Sequence, residues 1–514
     1  MAHLQWLSKS YTPFLLCVSI FIAPLMILLF VNNSRKRKSN LPPGPPTIPF
    51  IGNHHQLGTM PHISLQSLAH KYGPIIFLQL GQIPTVAVSS ARLAKEVLKT
   101  HDLTLASRPQ LFSAKYLFYN CTDISFAPYG AYWRHVRKIC ILEVLSVRRV
   151  NSYSGVRAEE VSSLVQRVAG SYPRTTNLSK LLGQYANNAI CRVAFGKDFS
   201  DGGVNEKYGF HKLLDEHQEL LGGFSIGDFF PSLEFIHRLT GMKARLQHTS
   251  RKFDHLFDQI VNEHKACDNV KEHKDLVDIL LEVQKNGSGE NEMPLTTDNI
   301  KAIILISEDM FSAGTDTTFI TLDWAMTDLL LNPHVMEKVQ KEVRSVLRER
   351  RVVAETDLHQ MQYMKVVIKE TLRLHPAVPV LVQRESMEEI TIEGYTIPAK
   401  TRIFVNAWAI GRNSESWEDP AAFKPGRFLE SNIDYKGQDF ELIPFGAGRR
   451  GCPAITFANA VVELALAQLL YSFDWELPPG ITAKDLDLTE VFGISMHRRE
   501  NLLVVAKPYF HEDS

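Results

Sequence analysis

The segment Pro444-Phe445-Gly446-Ala447-Gly448-Arg449-Arg450-Gly451-Cys452-Pro453-Ala454 constrains the fold of this chain more than any other. It runs directly into Ile455–Phe473, a stretch apolar on most helical faces, which predicts a buried helix. Gly446, Gly448 and Gly451 suit a tight turn with close approach of backbone to a flat partner. Pro453 suits a first helical turn, which places Cys452 at a helix N-terminus. Free N–H groups and the positive dipole end there favour a thiolate. A thiolate in such a loop is a good ligand for a soft or borderline metal. Arg450, two residues away, is positioned to pair with an anionic group on the same cofactor. From the residues alone three roles stay open for Cys452: a buried structural thiol, a nucleophile needing a histidine base, or a metal ligand. The first leaves the glycine and arginine pattern unexplained.

A second long apolar run, from about Asp298 to Asn332, stops at Pro333 and predicts a helix about 50 Å long. Inside it lies Ala313-Gly314-Thr315-Asp316-Thr317-Thr318. Glycine, threonine and aspartate are poor mid-helix residues, and a polar cluster in a buried helix is costly unless it is used. Glu370 and Arg373 are three apart and share a helix face, as Trp133 and Arg137 do one turn apart. Strand patterns occur at Ile75–Leu80 and Thr85–Ser89, joined through Gly81, and again at Ile390–Ile397, Arg402–Ala407 and Leu502–Ala506. The sum is a mostly α body with a small β portion, without repeats or a clean internal linker.

Composition narrows the function. Of 514 residues 45% are hydrophobic and 22% charged, enough to bury a large core. Lys plus Arg equals Asp plus Glu at 56 each, which argues against nucleic acid as the main partner. The six cysteines are scattered without a CxxC pair, so neither a disulfide scaffold nor a structural zinc site is expected. Thr12–Val31 is an uncharged run of 20 residues, the length of a transmembrane helix. Arg35, Lys36, Arg37 and Lys38 follow it and predict a cytosolic body. Residues 1–11 precede this anchor, residues 32–50 form a basic stop and a stiff proline-rich hinge, and residues 51–514 are expected to form one domain.

The Cys452 loop resembles the heme-binding signature of the cytochrome P450 family, with Phe445, Gly448, Arg450 and Cys452 in matching places and Ala454 where the family has glycine. The resemblance extends over nearly the whole chain and looks closest to the plant microsomal group, the 71 clan. It implies the cytochrome P450 fold, heme b held by Cys452, dioxygen as co-substrate, and electrons from NADPH through a cytochrome P450 reductase, with cytochrome b5 as an optional second partner. No convincing dinucleotide fingerprint occurs in the chain, which fits an external donor. By the same resemblance Thr317 hydrogen-bonds dioxygen and steers a proton, Asp316 relays protons from solvent, and Gly314 leaves room for dioxygen. Trp133, Arg137, Arg384 and Arg450 serve the heme propionates, while Glu370, Arg373 and Arg427 form a structural triad. Gly426 departs from the family's usual residue before that last arginine. Arg134, Lys138 and Arg449 are candidates for a reductase docking face, with a solvated charged face the plainer reading.

Substrate contacts are expected from Phe112, Phe118, Phe224, Phe311, Ala313, Val378 to Leu381, Phe492 and Ile494, and their character points to a small, largely apolar molecule. A terpenoid, alkaloid or phenolic scaffold fits, with hydroxylation, epoxidation or oxidative cyclisation as the reaction. The alternatives are a heme-thiolate isomerase or dehydratase, a non-catalytic membrane heme or lipid carrier, and a cysteine-nucleophile enzyme. The implied location is the endoplasmic reticulum membrane.

Overall fold

A computed structural model describes residues 40–197, 210–222, 225–266, 274–286, 296–297, 299–301, 314–348 and 350–509. The expected anchor at 12–31, and Phe224, Phe311 and Ala313, lie outside these residues.

Two helices buried on most of their faces set the core. The central helix spans Gly314–Leu331 and is buried from Ile320 to Leu330. It ends at Asn332, since Pro333 opens the next helix, Pro333–Leu347. The Ile455–Ser472 helix is buried over most of its length, as its sequence predicts. It is the one described helix long and apolar enough to cross a membrane, and it lies inside the body. Against the central helix packs Leu178–Phe195, started by Asn177, whose Oδ1 accepts from the Lys180 N–H at 2.9 Å, and ended by Gly196 in the left-handed region. The helices Ser154–Ala169, Met242–Ala266 and Gln362–Leu374 turn their apolar faces to the same core.

The β portion is small. Ile75–Leu80 and Ile83–Val88 form a hairpin, with Gly81 at φ 61° in the turn. Arg402–Val405 adds in parallel to Thr85–Val88, and Arg384–Glu385 pairs beyond it. The second strand starts two residues earlier than expected and takes in Pro84. Its missing N–H is tolerated because pairing with Arg402–Val405 begins only at Thr85. The run Ile390–Ile397 is two strands, Ile390–Ile392 and Tyr395–Ile397, because Glu393 and Gly394 both take positive φ. The strand expected at Arg402–Ala407 stops at Val405, where Asn406 caps the short helix Ala407–Ile410 by accepting from the Ala409 N–H at 3.0 Å. The C-terminal strand runs Leu503–Pro508.

The proline-rich hinge is extended but docked from residue 40 onward. Pro43 accepts from the Phe77 N–H at 2.8 Å, and a Cβ on Gly44 would strike the Phe77 carbonyl. Asn40 donates to the Gly394 carbonyl at 2.8 Å. The packed body therefore begins ahead of residue 51.

Candidate active site

One cavity lies between the central helix and the Cys452 loop. The loop is a set of backbone turns: the Cys452 N–H donates to the Phe445 carbonyl at 2.9 Å, and the Gly451 N–H to Gly448 at 3.0 Å. Gly446 and Gly448 sit at φ 67° and 68°. A Cβ on Gly448 would strike the Leu98 carbonyl and lie 2.5 Å from Asp102 Oδ1, so only glycine lets the loop seat there. Asp102 clamps the loop by accepting from the Arg449 N–H at 2.9 Å and from Arg384 at 2.7 Å.

Cys452 lines the cavity floor. Its helix begins at Ile455 with Ala454 as cap, so Cys452 and Pro453 stand ahead of the first turn, a correction to the expected placement. Burial pushes the thiol pKa up, against smaller opposite pulls from the Ala454 N–H and the Arg137 guanidinium. The helix terminus does not by itself make a thiolate here. A bound metal cation does, because it deprotonates a coordinating thiol outright.

Four arginines line the cavity, Arg108, Arg137, Arg384 and Arg450, and among the described residues no carboxylate does. Arg450 donates to the carbonyls of Ala106, Ile124 and Ala127 at 2.7, 3.2 and 2.5 Å and stacks 4.0 Å over Trp133. Arg384 reaches the Ala447 carbonyl at 2.9 Å, Arg137 the Gly451 carbonyl at 2.5 Å, and Arg108 the Gln383 carbonyl at 2.8 Å. Burial and then the neighbouring guanidinium groups push Arg450 down to about 9 and Arg108 well below its ordinary value. Guanidinium groups keep their protons, so the wall is one of desolvated cations that also repel one another and are short of negative charge. A flat metal cofactor carrying two carboxylates supplies both missing charges and a metal for the sulfur, so the residues present fit heme. Trp133 spends its indole N–H on the Ile124 carbonyl at 2.8 Å and stacks between Arg137 and Arg450; it does not line the cavity.

The roof is the N-terminal end of the central helix. Gly314 and Thr317 line the cavity, and Asp316 accepts from the Ser495 hydroxyl at 3.2 Å. A Cβ on Gly314 would lie 2.9 Å from Ile190 Cδ1, so a larger residue here would press the end of that side chain aside. The expected structural triad is formed. Arg373 holds Glu370 with two bonds of 2.8 Å, and Arg427 reaches the same carboxylate at 3.1 Å. Arg373 also donates to the carbonyls of Gly411, Pro420 and Ala422 at 2.5, 2.7 and 3.1 Å.

Of the expected substrate contacts, Val378 and Leu381 line the cavity, as does their neighbour Val382, whereas Pro379, Val380, Phe112, Phe118, Phe492 and Ile494 do not. Phe112 packs on His237 at 4.2 Å and Phe118 on Phe126 at 5.3 Å, both as core. Phe492 is 39% exposed, and Ile494 packs on the edge of the core. Aromatic residues serve core and pocket alike, so residue type alone did not separate them. Sequence reasoning missed Asp102, Arg108 and Ser495, each a lone polar residue without a motif around it. Arg134, Lys138 and Arg449 are all exposed, as a docking face requires.

A thiol floor, an arginine wall and a polar helix roof define a heme-thiolate protein, and the family model described as cytochrome P450 matches residues 42–505. The chain belongs to the cytochrome P450 family, within the plant 71 clan, and is an oxidoreductase that incorporates molecular oxygen. It is 69% identical to cytochrome P450 71AP13 of Prunus mume, over 96% of each chain. It is 46% identical to premnaspirodiene oxygenase of Hyoscyamus muticus, over 96% of this chain and 98% of the other. Strychnine-11-hydroxylase of Strychnos nux-vomica is 44% identical, over 97% and 98%. Among solved structures, a zebra fish cytochrome P450 with abiraterone aligns with a TM-score of 0.75 at 26% identity, covering 88% of this chain and all of that one.

Proposed function

We propose that this enzyme oxidises a largely apolar plant specialised metabolite of terpenoid, alkaloid or phenolic type, by hydroxylation, epoxidation or oxidative cyclisation. The observation that carries the heme reading is the cavity with Cys452 in its glycine-rich floor and four guanidinium groups in its wall, without a carboxylate among the described lining residues. Bound there, the heme supplies dioxygen activation, with two electrons and two protons consumed as one oxygen atom enters the substrate and the other leaves as water.

The chain's own residues do the rest. Cys452 Sγ holds the iron, and Arg108, Arg137 and Arg384, with Arg450, face the two propionates. Trp133 acts by stacking on two of these guanidinium groups, and Phe445 and Gly448 shape the loop. Thr317 holds a proton toward the reacting oxygen and Asp316 brings protons to it from solvent. Glu370, Arg373 and Arg427 carry no chemistry and fix the backbone behind the site. Ile124, Ala377, Val378, Leu381 and Val382 present an apolar wall that orients the substrate by shape and excludes water.

Electrons come from an NADPH-dependent reductase docking beside the exposed Arg134, Lys138 and Arg449, with cytochrome b5 as a second donor. The run Thr12–Val31 anchors the chain in the endoplasmic reticulum membrane with the catalytic body on the cytosolic side.

The test is a screen of plant metabolites against the heme-loaded protein for a substrate-induced spin-state shift, followed by product identification by mass spectrometry with reductase and NADPH. A terpenoid, alkaloid or phenol that shifts the spectrum and gains oxygen is expected. Turnover without oxygen uptake would instead mark an isomerase or dehydratase.

A further inference from the structure

We propose that Ser495 is a positioning residue for proton delivery: its hydroxyl donates to Asp316 Oδ2 at 3.2 Å and holds that carboxylate toward the site from a hairpin far away in sequence. This rests on the reading of Asp316 as the proton-relaying acid.

The hairpin pairs Glu490–Val491 with His497–Arg498, and Ser495 lies near its tip. Its stem is fixed to the central helix. Arg498 donates to Thr327 Oγ1 at 2.9 Å and lies 3.5 Å from Asp323 Oδ2, and all three side chains are buried. Its Met496 N–H donates to the Ala377 carbonyl at 2.8 Å, which ties the tip to a cavity-lining segment. Positions 316, 323 and 327 are seven and four residues apart, so they fall on one helix face. The hairpin therefore lies as a strap along about 16 Å of that helix, anchored at one end and touching the acid at the other.

An aspartate on a helix has two free side-chain torsions, and Asp316 is half-buried at the first turn of the described helix. A hydrogen bond from a fixed hairpin selects one orientation, which an effective proton relay needs at every turnover. The tip also packs on a second helix. A Cβ on Gly222, at the end of the Phe210–Gly222 helix, would lie 3.3 Å from the Ile494 N–H nitrogen. Ser495 thus sits in a tip held by contacts other than its own bond to the acid.

The test compares Ser495→Ala, Ser495→Thr and Asp316→Asn in the full chain with reductase, each normalised to heme content. Expected for Ser495→Ala is a several-fold fall in product formed per NADPH, with the electrons diverted to peroxide, and an unchanged substrate-induced spectral Kd. Ser495→Thr restores coupling, and adding Ser495→Ala to Asp316→Asn makes coupling no worse. A readout independent of turnover is hydrogen exchange of residues 490–498, which rises in Asp316→Asn as well as in Ser495→Ala. Wild-type coupling in Ser495→Ala alongside a clear Asp316→Asn defect overturns this inference alone. A silent Asp316→Asn overturns the reading of the acid itself and this inference with it. A weakened spectral Kd with normal coupling in Ser495→Ala makes Ser495 a substrate contact and also overturns it.

Discussion

At the scale of single residues, the site is decided by a few atoms that admit no substitute. Gly448 has a positive φ, which an L-residue adopts only at about 1–2 kcal/mol, and the Leu98 carbonyl leaves no room for a Cβ. Gly448→Ala is expected to abolish the thiolate-type reduced carbon monoxide spectrum, whereas Ala454→Gly, which restores the residue usual in the family, keeps it. Arg108 belongs to the wall only because residues 108, 137, 384 and 450 converge in space. Arg108→Leu is expected to hasten heme transfer to apomyoglobin several-fold while leaving the Cys452 ligation spectrum unchanged. Equal transfer rates would remove Arg108 from the cofactor's binding set. What was legible here follows from distance along the chain. Gly448, Arg450 and Cys452 stand within five positions and carry a pattern, while Asp102 meets Arg449 across 347 residues and left no trace in the sequence. Phe112 and Phe118 pack as core outside the described cavity, and their type gave no sign of it, since a phenyl ring fits a packed core as well as a binding wall.

Among the elements, strong periodicity fixes the kind of element, and the ends move only where a local cap or turn intervenes. The Ile455–Ser472 helix and the Ile75–Leu80 strand fall where the pattern puts them. Ile390–Ile397 reads as one strand because its apolar residues alternate on both sides of Glu393 and Gly394, but the alternation changes phase there, at the backbone reversal that splits it. The Gln362–Leu374 helix shows why Glu370 and Arg373 are more than a surface pair. Both side chains are fully buried, and their remaining hydrogen-bonding groups reach Arg427, the Lys424 N–H and three carbonyls. An exposed pair contributes little, but removing one partner of a buried one costs about 3–5 kcal/mol. Glu370→Ala is accordingly expected to yield little folded, heme-loaded protein, read by soluble expression and thermal denaturation. A variant that melts within a degree or two of the parent would show the triad to be dispensable.

For the molecule as a whole, acid sensitivity follows from histidines buried without charge. His62 lies between Trp408 and Phe492, at ring distances of 4.9 and 6.3 Å, and burial lowers its pKa to about 4. In the unfolded chain it titrates near about 6.5. Between these values the unfolded state binds a proton that the native state refuses, so stability falls as pH drops from about 6.5 toward about 4. His217, lowered to about 3 by burial, adds in the same direction. Replacing His62 by phenylalanine keeps the stacking and removes the titration. The melting temperature of the parent is expected to fall below that of His62→Phe progressively as pH drops, and parallel curves would exclude His62 as the cause. The clamp of Asp102 on the Cys452 loop has a consequence for biosynthesis. During synthesis the early segment around Leu98 to Arg108 emerges from the ribosome hundreds of residues before its complement, so the cradle closes only after residues 449 and 450 have emerged. The pocket for the pigment thus stays unformed while the long stretch of nascent polypeptide between its two halves is being made.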